Sequence, residues 1–132
     1  MKLKCTLAAL ALSAAFATGA MAAGNGHKHS AKETNGGQII DTVDGHWELV
    51  AKGGELTVYV TDKDVKPIAT KAAKGTATVL VGGKTIKVDL TPAEPNQLKG
   101  KGDFVAAKGM KVVVSLDNVG PKPEQIRFTP LD

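Results

Sequence analysis

The sequence predicts an all-β fold, a small antiparallel β-sandwich, Ig-like or barrel-like, with about seven to eight short strands. Three observations predict it. Apolar and polar residues alternate from Gln38 onward. Two Gly-Gly pairs, at 53–54 and 82–83, interrupt that alternation where hairpin turns belong. No stretch of ten or more residues after position 37 carries apolar residues at helical spacing.

The first residues read as an export signal. Lys2 and Lys4 form a basic head, 7–17 is an apolar run broken only by Ser13, and Ala20, Met21 and Ala22 make a small-x-small site. That pattern predicts a signal peptide over 1–22, cut between Ala22 and Ala23. The apolar run is shorter than the roughly 20 residues a membrane span needs, so no span is expected after cleavage. Cys5 lies before the run, whereas a lipobox cysteine follows it, so Cys5 leaves with the signal. The mature chain then has no cysteine, hence no disulfide, thiolate metal site or thiol nucleophile. Export without disulfides points to a bacterial periplasm.

Residues 23–37 are polar and lack periodicity, and read as a flexible leader carrying His27 and His29. The folded domain is expected over 38–132. "HWELVAK" (46–52) places Trp47, Leu49 and Ala51 on one face and His46, Glu48 and Val50 on the other. "ELTVYVTD" (55–62) turns Leu56, Val58 and Val60 inward and Thr57, Tyr59 and Thr61 outward. Gly53 and Gly54 join the two, a two-residue loop that tolerates positive φ at both positions. "TATVLVGGKTIKVDLT" (76–91) is a second hairpin, with Ala77, Val79 and Val81 facing Ile86, Val88 and Leu90. "MKVVVSLD" (110–117) and "EQIRFTP" (124–130) complete the longer strands, and shorter ones are expected at 38–42 and 97–101. "PIATKAAKG" (67–75) fits either a helical turn or a loose strand.

Composition excludes several functions. Losing 22 of 132 residues leaves 110, enough for one domain and one modest core. Losing Lys2 and Lys4 takes 17 basic residues to 15 against 13 acidic, so the precursor's +4 becomes +2. The lysines are dispersed and Arg127 is the sole arginine, so the clustered basic and aromatic residues of a nucleic-acid surface are missing. Catalysis is not expected. Cysteine is absent from the mature chain, there is no Gly-x-Ser-x-Gly elbow, and His46 is the one histidine inside the domain. "VGGKT" (81–85) lacks phosphate-loop spacing and leads into a strand.

Imidazole chemistry remains. Nitrogen donors suit Cu, Zn, Ni and Co ions. His27 and His29 can chelate together, weakly, because ordering a flexible segment costs entropy. His46 lies on the outward face of its strand, with Asp41 and Asp44 close in sequence, and is a third ligand if the leader folds back. Cleavage after Gly24 instead of Ala22 would start the chain at Asn25, Gly26, His27. That arrangement wraps Cu(II) or Ni(II) in a square plane. No organic cofactor is expected.

Residues 36–130 resemble a known module. "ELV", "LTVYVTD..VKP", "GTATVLVGGK", "L.GKGDF" and "RFTP" are similar to a small exported β-sandwich of Gram-negative bacteria. Similar segments occur at the N-terminus of periplasmic adaptor subunits of resistance-nodulation-division heavy-metal efflux pumps. The family often opens the module with His-Gly-Gly. The matching position here is Asn35, and the family's histidine after the first strand matches His46. The resemblance implies a periplasmic role in metal handling or efflux, without catalysis. The expected function is therefore an accessory role in divalent heavy-metal homeostasis or efflux. It would act by weak metal binding through His27, His29 and His46, or by docking on an efflux component. The competing expectation is a metal-free interaction module that offers an edge strand or its Val113 face to a periplasmic partner.

Overall fold

The computed structural model describes residues 35–132. The export signal and the leader histidines His27 and His29 lie outside the described residues. The domain is all-β, with eight strands: β1 (Gln38–Asp41), β2 (Gly45–Lys52), β3 (Glu55–Asp62), β4 (Lys74–Val81), β5 (Lys84–Ala93), β6 (Gln97–Lys101), β7 (Lys111–Asp117) and β8 (Glu124–Phe128). They form one antiparallel sheet in the order β1-β2-β3-β6-β5-β4-β7-β8, coiled into a nearly closed barrel. Among the described residues there is no helix, and so none long and apolar enough to cross a membrane. The segment 67–75 is neither alternative in full. Pro67 bridges to Thr61, a turn follows, and the chain enters β4 at Lys74.

Alternation determines the interior. Trp47 and Leu49, Leu56, Val58 and Val60, Ala77 and Val79, Val88 and Leu90, and Val112, Val114 and Leu116 all point inward and are buried. Removing each such side chain from water contributes about 1.5–3 kcal/mol, which supplies the main drive for closing the sheet. Met110 and Phe104 plug the same core from the loop before β7, and Phe128 does so from the end of β8.

The two Gly-Gly turns work differently. Gly82 and Gly83 both have positive φ, +56° and +74°, a backbone that only glycine adopts cheaply. Of the other pair only Gly53 does, at +59°. Gly54 is needed for closeness: a Cβ there would lie 2.8 Å from the Gly102 carbonyl oxygen. At Gly54 the β2–β3 turn closely approaches the chain after β6.

The barrel closes imperfectly between β1 and β8. The Gln38 side chain bridges the seam, its Oε1 accepting from the Thr129 N–H at 2.6 Å and its Nε2 donating to Thr129 Oγ1 at 3.4 Å. At one end, the loop before β8 packs on the β1–β2 turn, and a Cβ at Gly120 would lie 3.1 Å from Asp44 Oδ2. Partial burial, and then the Asp44 carboxylate, hold the Glu124 carboxyl above its ordinary value of 4.5. A raised folded-state value makes Glu124 contribute stability below the unfolded value, lost as pH rises through the folded one. Glu124→Gln is therefore expected to flatten the stability profile just above pH 4.5. At neutral pH it should stabilise by up to about 0.5 kcal/mol, the size of a surface effect. Thermal unfolding of both proteins between about pH 4 and pH 7 measures this.

Candidate functional site

On β2 the residues that alternate with Trp47 and Leu49 point away from the barrel interior. The antiparallel register lines them up with neighbours. Asp41, His46 and Thr61 form one cross-strand row, and Ile39, Glu48, Tyr59 and Gln97 form the next. Cross-strand neighbours stand about 5 Å apart, so these rows form one patch on the outer face of the barrel.

This face is not open to water as a strand face ordinarily is. His46 is 8% exposed, Glu48 5% and Thr57 8%. The outward orientation that alternation predicts holds, but the face is covered. Chain from elsewhere in the sequence covers the face at three places, leaving a concavity of about 310 Å³ lined by Asn35, His46, Glu48, Tyr59, Pro67 and Asn96 among others.

The first cover is the segment 35–37. Glu48 Oε1 accepts from the backbone N–H groups of Asn35 at 2.8 Å and Gly37 at 3.0 Å, and Oε2 accepts from Asn35 Nδ2 at 2.9 Å. The last three leader residues are thus tied to the barrel by a buried carboxylate. The second cover is the loop after β3. Asp62 Oδ1 accepts from the N–H groups of Asp64 and Lys66, both at 2.9 Å, and its own N–H donates to the Lys66 carbonyl at 2.8 Å. This knot holds Val65 at φ +62°. For a β-branched residue that is a strained backbone, of order 1–3 kcal/mol. The third cover is the turn before β6. Asn96 Nδ2 donates to the Val60 carbonyl at 3.0 Å, and the Asn96 carbonyl accepts from the Val60 N–H at 3.0 Å.

Each nitrogen of the His46 ring has an oxygen near it. Nδ1 lies 2.7 Å from Asp41 Oδ1. Nε2 lies 3.4 Å from the Lys63 carbonyl oxygen, a long contact. The Asp41 carboxylate accepts from Nδ1, so the neutral ring keeps its lone pair on Nε2. A carboxylate behind one imidazole nitrogen is the arrangement that orients metal-binding histidines. In the neutral ring, the Nε2 lone pair faces a carbonyl oxygen, one acceptor opposite another. A cation entering between them meets both.

Of the acidic residues near His46 in sequence, the structure brings Asp41 to the ring and places Asp44 against the loop before β8 instead. Among the described residues, no group of three or more His, Cys, Asp and Glu is arranged to hold a metal ion. The described part of the chain offers one imidazole. Sequence reasoning missed Glu48, Asn35 and Asn96 as site-forming residues. For Glu48 a signal existed, because it lies two residues from His46 on the same strand face. Comparison with known protein families, curated proteins and solved structures finds no match.

Proposed function

We propose that the protein is a periplasmic accessory module of divalent heavy-metal homeostasis or efflux, and that it binds a Cu, Zn, Ni or Co ion with His46 as the fixed ligand and His27 and His29 as tethered ones. One observation carries the reading. The concavity lined by His46 is also lined by Asn35, the first described residue of the leader. Asn35 lies six positions after His29, a contour of up to about 20 Å. Both leader histidines are therefore within reach of the ring.

The chemistry follows from the donor set. Imidazole nitrogen suits these four ions and is poorly matched to Mg or Ca. His46 is already oriented by Asp41, so its ordering cost is met on folding. The leader must still be ordered on binding, which keeps the affinity modest. A resemblance to the module of heavy-metal efflux adaptors supports the same role. The metal-free alternative is weaker at the Val113 face. Val113 is half-buried and lies between Thr78 and Arg127, which makes that face polar.

Calorimetric titration of residues 23–132 with each of the four ions tests the proposal. At least one should bind with a Kd below about 1 mM. His46→Ala should weaken that binding at least about tenfold, a loss of about 1.4 kcal/mol, and so should His27→Ala with His29→Ala. Binding absent below about 1 mM for all four ions would falsify the metal reading.

A further inference from the structure

β5 runs through both halves of the barrel, but its second edge is only partly used. Lys84 to Leu90 pair with β4 on one side, whereas pairing with β6 is confined to Thr91, Pro92 and Ala93. Among the described residues, the first half of β5 therefore has one edge without a strand. That edge faces the loop 102–109, and a cleft of about 540 Å³ lies between them. Val81, Ile86, Phe104 and Val105 make its apolar wall, and Lys84 and Lys108 stand at its rim. Val105 is 74% exposed. Asp103 is the single acidic residue lining the cleft. This site lies at the end of the barrel that carries the Gly-Gly turns, and it uses none of the residues around His46.

We propose that this edge and cleft take an extended segment of a partner protein, added as a strand beside β5, with apolar side chains directed into the cleft and acidic side chains toward Lys84 and Lys108. Strand addition draws affinity from main-chain hydrogen bonds and specificity from pockets for alternate side chains, and both parts are present here. Charge selects the occupant. Lys84 and Lys87 lie along the open edge and are exposed, and lysine on an edge discourages a second, equally basic edge from pairing with it. The same lysines attract an acidic strand. The protein's own leader is a poor occupant. It carries Lys28 and Lys32 against Glu33, and it joins the fold at the His46 concavity.

The test uses residues 23–132, labelled with ¹⁵N, and three acetylated peptides. The first is seven residues of alternating Glu and Val. The second has Lys in place of Glu. The third is the first with alternate backbone amides N-methylated. The glutamate peptide should shift the amide signals of residues 84–88 and 103–108 saturably. The lysine peptide should bind at least about tenfold more weakly, and the methylated peptide should leave the signals in place. Val105→Asp, an exposed change, should fold normally and weaken binding at least about tenfold. The pair Lys84→Glu and Lys108→Glu should reverse the preference between the two charged peptides. The proposal is overturned by no saturable shift up to about 1 mM peptide, or by equal binding of the charged peptides. Binding that survives methylation also overturns it. So do the same shifts arising with protein concentration alone, which would make a second copy the occupant.

Discussion

Replacing Glu48 with alanine should lower stability by about 1–3 kcal/mol, because it leaves the buried N–H of Gly37 and the part-buried N–H of Asn35 without their acceptor. The carboxylate is 5% exposed and accepts from Asn35 twice and from Gly37 once. Glu48→Gln is the sharper variant. It has nearly the same shape, but its amide nitrogen must face an N–H donor of Asn35 or Gly37, so about half of the alanine effect or more should remain. Urea unfolding gives both values. A glutamine variant within about 0.5 kcal/mol of the parent would mean that the carboxylate does not anchor the segment. In a domain of this size, whose whole stability is about 5–15 kcal/mol, such a loss is large. It would also free the leader's end from the rim of the concavity, so metal affinity should fall with it.

The second large effect is expected at Gly45. A Cβ there would sit 1.9 Å from the Thr61 carbonyl oxygen and 2.8 Å from the Asp62 Cα. Both are backbone atoms, so no side chain can swing aside, and the β2–β3 ladder must part at that end. Gly45→Ala should cost about 3 kcal/mol or more, the upper range for overpacking. Gly45 also organises the turn into β2. Its carbonyl accepts from the Thr42 N–H at 2.7 Å, and its N–H donates to Thr42 Oγ1 at 3.0 Å. Displacing this turn moves Asp41 relative to His46. The variant should therefore lose metal affinity beyond what its stability loss explains, measured at a temperature where it is fully folded. A cost below about 1 kcal/mol would show that the two strands can separate there freely.

Most of the barrel could be read from periodicity. Trp47, Leu49, Val58, Val79, Val88 and Val114 stand inward as their alternation requires, because a strand has only two faces and the apolar one goes to the core. The candidate site was less legible. Alternation showed that His46, Glu48 and Thr57 face away from the core, but not what lies over them. His46 and Glu48 are covered by 35–37, by the loop after β3 and by the turn before β6. Those contacts join residues more than ten positions apart, and no local pattern encodes them. Asp41 and Asp44 were equivalent candidates by proximity in sequence. The register separates them, since Asp41 stands opposite His46 across the β1–β2 ladder while Asp44 lies in the turn. The differing roles of Gly53 and Gly54 were hidden for the same reason, because the neighbour that requires Gly54 comes from 102–104.

In the proposed site Nε2 of His46 is the metal ligand, held ready by Asp41. Long-range ¹H–¹⁵N spectra of the imidazoles in residues 23–132, recorded during titration with Zn²⁺, test it at the atom concerned. The Nε2 signal of His46 should shift with the metal while Nδ1 keeps its proton, hydrogen-bonded to Asp41, and the signals of His27 and His29 should move over the same range of concentration. A Zn²⁺ titration in which the leader histidines respond and both His46 nitrogens stay in place would contradict it.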